Sequence, residues 1–204
     1  MMQPTNMVSL FSTPVYEEVI VDDDFTKIQK EIQSGLETTV FNKPDSVLGH
    51  YICNSRFDGD WMSDKKCLKF ISRLNDAILK YCDGIGMDST KIDYDRKSWI
   101  NLFEKQNYAH IHEHGGNDIS GVYYCKTTGA DGNLFFETPI SQTSSIPAWT
   151  NLSKRIAVIP CVGKLVLFPS WLRHGVNQNF TNDKRVSISW NIKLKLQEQY
   201  KDDK

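Results

Sequence analysis

The densest group of reactive side chains in the sequence is a run of three histidines. His110, His112 and His114 occupy the segment HIHEH, and His174 follows 60 residues after His114 in the segment FPSWLRHGV. In an extended strand, side chains two positions apart lie on the same face, so two neighbouring histidines of the run could chelate one metal ion. All three cannot bind one ion along a straight strand, which leaves one of them outside the site.

A third ligand is needed to hold a first-row metal firmly, and His174 can supply it. It follows GKLVLFP, the strongest β-type run in the chain. An H-x-H pair and a lone histidine from a distant strand form a facial three-ligand site, which leaves three octahedral positions for a co-substrate, O2 or water. The pattern therefore predicts a site for one transition-metal ion.

The next reactive segment is Arg185-Val186-Ser187, which begins eleven residues after His174. A guanidinium forms a bidentate pair with a carboxylate, and a nearby hydroxyl adds a further donor. Arg185 and Ser187 could therefore hold the far carboxylate of a dicarboxylic co-substrate whose other end binds the metal. Taken alone, the short R-x-S pattern is also typical of a surface arginine.

Composition limits the classes of partner. The chain has 204 residues, 40% of them hydrophobic, enough for one domain with a sizeable core. Its net charge of −1 gives no basic excess for nucleic acid. The five cysteines form no C-x-x-C pair, which favours reduced thiols over a disulfide framework or a zinc ribbon. With no signal-peptide pattern and no membrane-spanning apolar run, we expect a soluble, cytoplasmic protein.

The first half of the chain has helical patterns. Apolar residues recur at helical spacing after the acidic run at 22–24, and again over residues 63–82, where the predicted stripe is Leu68, Ile71, Ile78 and Tyr81. Residues 8–19 predict a first strand. Gly84 is the expected stop of the second helix.

From Trp99 onward the patterns are those of short strands separated by turns, with a long loop over residues 141–150. Such strands favour a sandwich or barrel, and helices that precede them in sequence are expected to pack outside the sheet. The predicted strands cover residues 98–103, 120–126, 133–137, 155–159, 164–168 and 185–194.

Taken together, these residues resemble the 2-oxoglutarate and Fe(II)-dependent oxygenases, and most closely a prolyl-hydroxylase-like branch common in bacteria and phages. The pattern of that branch is W-x-N, H-x-H, S-G-V-Y-Y, then G-x-L-x-x-F-P-S-W-L-x-H and R-x-S-x-S-x-N. It is matched in order at residues 99–101, 112–114, 120–124, 163–174 and 185–191, and the opening LFSTPV at 10–15 also resembles it.

The resemblance selects among the histidines, because the H-x-H pair of this branch precedes Ser-Gly by six residues. The implied ligands are therefore His112, His114 and His174, with His110 outside the site. In the wider superfamily a tyrosine on the following strand reaches the co-substrate. Alternation from Ser120 favours Tyr124 over Tyr123 for that role.

Asn101 is a further candidate for contact with the co-substrate or the substrate. One position departs from the superfamily pattern H-x-D/E…H, because His114 stands where the carboxylate is expected. Three neutral imidazoles leave the site one negative charge short, which makes occupancy by zinc, copper or nickel easier. Glu113 or Asp118 could supply the carboxylate instead, although alternation turns Glu113 away from the pair.

The resemblance implies an α+β, mainly β fold: a double-stranded β-helix, or jelly-roll barrel, with N-terminal helices packed outside it. We expect one domain over 1–204, helical to about residue 95, with the barrel over about 96–196. It also implies Fe(II), 2-oxoglutarate and O2, and hydroxylation of a peptidyl prolyl or small-molecule substrate. Residues 141–150, Trp61 and Trp149 are candidates for the substrate rim.

Two alternatives remain open from the sequence. Pro169-x-Trp171-x-x-His174 is similar to the second cupin motif, which would give a three-histidine metal dioxygenase without 2-oxoglutarate. A non-catalytic barrel that binds a partner or sugar is the other. The position of Arg185 and Ser187 disfavours the cupin reading, because a cupin has no need of an anion anchor there.

Overall fold

The computed structural model describes residues 12–42, 50–51, 53–55, 59–139 and 155–197. Three helices precede most of the strands: α1 (Asp24–Glu37), α2 (Trp61–Asp64) and α3 (Leu68–Gly84), followed by a 3-10 turn at Ser89–Lys91. The strands are β1 (Tyr16–Val19), β2 (His50–Tyr51), β3 (Cys53–Asn54), β4 (Ile92–Phe103), β5 (Tyr108–His112), β6 (Ile119–Lys126), β7 (Leu134–Glu137), β8 (Arg155–Val158), β9 (Lys164–Pro169), β10 (His174–Val176) and β11 (Arg185–Leu196).

The strands form two antiparallel sheets. The larger has the order β1-β9-β6-β11-β4-β3, and the smaller has the order β2-β5-β10-β7-β8. Neighbours in each sheet are mostly distant in sequence, as a jelly roll requires. The predicted α+β, mainly β jelly roll with external helices is therefore confirmed.

The larger sheet separates two apolar clusters. On its outer face, residues of α1 and α3 such as Ile28 and Phe70 pack against Ile188 and Trp190 of β11. On its inner face, Val166 and Phe168 of β9 pack with residues of the smaller sheet. Because alternate residues of a strand lie on opposite faces, each central strand contributes to both clusters.

A glycine allows the tightest contact on the outer face. A Cβ on Gly121 of β6 would lie 2.6 Å from the indole of Trp190 and 2.6 Å from the carbonyl oxygen of Val166. Trp190 is fully buried, and its ring meets Phe70 edge-on at 6.1 Å. The Gly of the S-G-V-Y-Y segment is therefore required by sheet packing.

The helical prediction over residues 63–82 is wrong in one respect, because the segment contains two helices. Lys66, between α2 and α3, adopts a positive φ of 56°, which breaks the helix. Leu68 begins α3 with 69% of its surface exposed, while Phe70 and Leu74 provide the buried stripe. The carboxylate of Glu31 on α1 caps this new start, since it accepts hydrogen bonds from the backbone N–H groups of Lys69 and Phe70.

Two further expectations need correction. β4 begins at Ile92, six residues before the predicted strand, because it pairs with β11 over its whole length. Trp61 is buried rather than on a substrate rim: its Nε1 donates to Thr39 at 2.8 Å and its ring lies against Gly35. Trp149 and the predicted loop at 141–150 lie outside the described residues.

The cysteines whose side chains the structure describes are free thiols. Cys67, Cys82 and Cys125 are buried free thiols, and Cys161 is an exposed one. Within the described residues, none of the helices is both long and apolar enough to cross a bilayer.

The Glu31 cap predicts a stability effect. We expect Glu31→Ala to lower the free energy of unfolding by about 1–2 kcal/mol, because two N–H groups at the start of α3 lose their acceptor. Urea denaturation at neutral pH would measure it as a lower midpoint at unchanged slope. Glu37→Ala, at an exposed position of the same helix, should change stability by less than about 0.5 kcal/mol. Equal effects of the two substitutions would contradict the capping role.

Candidate metal centre

Two short strands of the smaller sheet bring His112 and His174 together. β5 and β10 are antiparallel neighbours, and His112 is paired directly with His174. His114 lies just beyond the end of β5, where its backbone N–H donates to the carbonyl oxygen of Ser170 at 2.9 Å. This bond ties the end of the H-x-H segment to the loop that leads into β10.

A β-bulge decides which histidines face inward. His174 pairs with His112 and Val176 pairs with Ala109, so β5 contains one residue more than β10 over this interval. Ala109 and His112 consequently both line the cavity, although they are three positions apart. His110 is turned outward and exposed, with its ring edge-on to Tyr108 at 5.0 Å.

The three inward histidines have the geometry of a ligand set. One ring nitrogen from each of His112, His114 and His174 lies within 4.8 Å of the others. Nδ1–H of His112 donates to the His110 carbonyl at 2.7 Å, and Nδ1–H of His174 donates to the Leu172 carbonyl at 2.8 Å. These bonds fix the tautomers and leave the Nε2 lone pairs for a metal. Burial also lowers the pKa of His112, which favours the neutral imidazole that a metal needs.

The two alternative carboxylates are directed elsewhere. Glu113 is exposed, in agreement with strand alternation. Asp118 accepts a hydrogen bond from the backbone of Leu194 at 2.8 Å and pairs with Lys193 at 3.2 Å, so it ties β6 to β11. Among the residues that the structure describes, the metal-binding geometry therefore belongs to the three histidines alone.

The histidines open into a cavity of about 340 Å³ between the two sheets. Arg185 lies in the same cavity with 1% of its surface exposed. Its guanidinium donates to the Gly132 carbonyl and stacks over the Phe103 ring at 3.8 Å from the centroid. Its Nε–H has no acceptor among the described residues.

Burial lowers the pKa of Arg185, but a guanidinium stays charged in proteins. A buried cation whose donors are incompletely satisfied is costly unless an anion joins it. The position of Arg185 therefore suits the binding of a ligand's carboxylate.

The other predicted co-substrate residues lie beside Arg185. Ser187 is in register between Asn101 on β4 and Tyr124 on β6. Burial raises the pKa of Tyr124 to about 12, so its phenol keeps the proton that it would donate to a carboxylate. Nδ2 of Asn101 donates to Ser189 at 2.9 Å. Tyr123 lies on the opposite face, where it packs on Phe70 at 4.6 Å, as alternation predicts.

Among the cavity residues of β4, the sequence interpretation gave no role to three: Lys97, Trp99 and Phe103. All three lie on β4 at positions that alternate with its outer residues, and the ring of Trp99 is 5.9 Å from that of His114. The same alternation that selected Tyr124 could have identified them. The predicted strand, however, began only at residue 98.

Known proteins that resemble this chain in sequence or in fold include metal-dependent oxygenases. Residues 97–191 match the family described as "Putative 2OG-Fe(II) oxygenase". Comparison with curated proteins by sequence gives no match. Among solved structures, the epimerase SnoN in complex with Fe3+, alpha ketoglutarate and nogalamycin RO is similar, with a TM-score of 0.64, 12% identity and coverage of 91% of this chain and 82% of SnoN.

Two other structures share the fold. A prolyl-4-hydroxylase from Pseudomonas putida has a TM-score of 0.60 and 12% identity, with 89% of this chain and 93% of that chain covered. HygX from Streptomyces hygroscopicus, with nickel and 2-oxoglutarate bound, has a TM-score of 0.61 and 13% identity, with 89% and 83% covered. The fold is thus that of the jelly-roll oxygenases. The segment that matches the family contains the three histidines and Arg185, so this part of the chain is similar to the 2-oxoglutarate and Fe(II)-dependent oxygenases, a class of oxidoreductases.

The bulge leads to a prediction about metal binding. We expect His174→Ala to weaken Zn(II) binding by at least about 100-fold, because loss of a ligand exceeds the roughly 10–100-fold effect of losing an outer partner. His110→Ala should bind Zn(II) as the unaltered protein does. Isothermal titration calorimetry, with circular dichroism as the check on folding, would measure both. Retention of metal by His114→Ala together with its loss in His110→Ala would move the site two residues upstream.

Proposed function

We propose that the protein is a 2-oxoglutarate- and Fe(II)-dependent dioxygenase that hydroxylates a small-molecule or peptidyl substrate. His112, His114 and His174 hold the iron, and Arg185 holds the co-substrate. The observation that carries the proposal is the buried Arg185 in the same cavity as the three-histidine cluster. A metal site alone would suit many activities, whereas a buried cation at a distance from the metal suits a ligand with a second carboxylate.

The residues around Arg185 have different roles in binding the co-substrate carboxylate. The guanidinium supplies charge and paired donors, while the Gly132 carbonyl and the Phe103 ring hold it in place. Tyr124 and Ser187 add hydroxyl donors from the adjoining strands. Because the anchor is buried, its attraction for a carboxylate is screened little by solvent.

The chain's contribution to the reaction is positioning and exclusion of water. Fe(II) with 2-oxoglutarate and O2 would supply the oxidation of a substrate C–H bond, with release of succinate and CO2. The backbone carbonyls of His110 and Leu172 fix the imidazoles of His112 and His174. Apolar side chains such as Phe168 and Leu134 wall the cavity and keep its dielectric low.

The three-imidazole ligand set also fits the cupin alternative, a metal dioxygenase that does not use 2-oxoglutarate. Such a set suits zinc, copper and nickel as well as iron, and it does not itself require a dicarboxylate. The alternative provides no reason for a buried arginine at the far end of the cavity. A non-catalytic barrel would not account for the buried Arg185 or for the fixed tautomers of His112 and His174.

The activity has a direct test. Under anaerobic conditions, Fe(II) and 2-oxoglutarate together should give a visible charge-transfer absorption that neither gives alone. On admission of O2, the protein should convert 2-oxoglutarate into succinate, even slowly without substrate. Stoichiometric iron with no such absorption and no succinate would favour the cupin alternative.

Arg185 can be tested separately from the metal. We expect Arg185→Ala to weaken 2-oxoglutarate binding by about 100-fold, since charge-assisted hydrogen bonds to a buried anion are lost. Binding of Zn(II) should change little, because the histidines lie on other strands. Arg155→Ala, at an exposed arginine of β8, is the matched control and should leave both affinities unchanged. Equal loss of Zn(II) and 2-oxoglutarate in the Arg185 variant would show that its role is structural.

A further inference from the structure

The cavity continues beyond the metal centre to a second cation at its other end. Phe103 on β4 is opposite Arg185, and Lys97 on the same strand is opposite Asn191. Six residues of strand separate these two pairs, which corresponds to about 20 Å of backbone. Both Arg185 and Lys97 line the cavity, Arg185 buried and Lys97 exposed at the open end.

Lys97 differs from the neighbouring lysines in its partners. Lys193 and Lys195 on β11 pair with Asp118 and Asp95, at 3.2 and 2.5 Å. The side-chain ammonium of Lys97 makes no ion pair or hydrogen bond with any residue that the structure describes. A cation that lines a cavity and has no protein anion beside it can accept an anion from a ligand.

Asn191 faces the same end of the cavity with a fixed orientation. Its Oδ1 accepts the hydroxyl of Ser120 at 2.8 Å, and that hydroxyl is also hydrogen-bonded to Ser170 at 2.7 Å. The amide therefore keeps its Nδ2 donors for a ligand. Trp99 lies between Lys97 and the metal cluster with 7% of its surface exposed, and its ring forms a flat apolar wall.

The charge of the metal centre also favours an anionic ligand. Relative to a site with one carboxylate ligand, the three neutral imidazoles leave a loaded centre one unit more positive. The buried Asp131 near Arg185 is common to both cases and does not alter this difference. An anionic substrate could supply the missing negative charge, whereas a cationic one would meet both Lys97 and the metal.

We propose that Lys97, Asn191 and Trp99 form a subsite for a substrate that carries an anionic group, a carboxylate or a phosphate. Lys97 and Asn191 bind its oxygens, and Trp99 supports its carbon skeleton beside the metal. The inference rests on the proposed function, because 2-oxoglutarate must occupy the Arg185 end for this end to remain for the substrate.

The subsite can be tested by direct binding rather than by turnover. The protein is first saturated with Zn(II), which supports no oxidation, and with 2-oxoglutarate. Phenylacetate, phenyl phosphate and the neutral phenylacetamide are then compared by saturation-transfer NMR titration. We expect the two anions to bind at least about fivefold more tightly than the amide, and the difference to shrink in high salt because Lys97 is exposed. Preference for one anion over the other identifies the group that the subsite accepts.

Substitutions assign the preference to the named residues. Lys97→Gln should remove the advantage of the anions over the amide, and Lys97→Arg should retain it. Asn191→Asp keeps an acceptor for Ser120 but places a negative charge in the subsite, so it should reverse the preference. Lys80→Gln, at an exposed position of α3, makes the same change in net charge away from the cavity and should have no effect.

Each contrary result has a separate meaning. Absence of Zn(II) or 2-oxoglutarate binding in the first titration overturns the proposed function, and the subsite with it. Equal binding of the anions and the amide, with 2-oxoglutarate bound normally, overturns the subsite alone. The subsite is also overturned if Lys97→Gln weakens 2-oxoglutarate binding, which would place Lys97 in the co-substrate site, or if Lys80→Gln matches its effect on the anions.

Discussion

The alternation of side chains along β11 is the constraint on which the rest of the molecule depends. Ile188, Trp190 and Ile192 pack against the helices, whereas the residues between them line the cavity: Arg185, Ser187, Ser189 and Asn191. One strand thus supplies the centre of the outer core and the polar floor of the site. A slip of one residue would exchange the two sets and place a guanidinium in an apolar core. The twelve-residue pairing with β4 fixes this register.

The cost of a buried cation explains the surroundings of Arg185. The carbonyl of Gly132, the faces of Phe103 and Tyr124, and the nearby carboxylate of Asp131 give its guanidinium partial compensation. The Asp131 oxygens are themselves hydrogen-bonded to Thr127 and Thr128, so Arg185 keeps a donor for a ligand. A carboxylate ligand of the protein in that place would satisfy the charge and close the site. The protein therefore retains part of the desolvation cost in its free state, and a bound dicarboxylate would relieve it. This is an arrangement for binding rather than for stability.

Much of the fold and of the candidate site follows from the sequence, and the exceptions have physical causes. Long strands with strict alternation, such as β6 and β11, are identifiable because their pattern persists over many residues. β10 has only three residues and β5 only five, so their pairing depends on tertiary contacts that no local pattern encodes. The break before Leu68 depends on Glu31, a residue 37 positions earlier. The inward direction of His112 and His114 depends on a bulge, which the sequence indicates only through the resemblance to a family.

The bulge in β5 has a consequence for how this segment can vary. His110 contributes nothing to the cavity through its ring, but its main-chain carbonyl orients His112. What the site requires at that point is the presence of a residue, and the chemical nature of its side chain is secondary. Exchange of residue 110 for another type preserves this carbonyl, whereas deletion of the residue would remove the bulge and leave Ala109 and His112 two positions apart on one face of a regular strand. The metal centre therefore uses the main chain of residue 110 and not the imidazole of the third histidine.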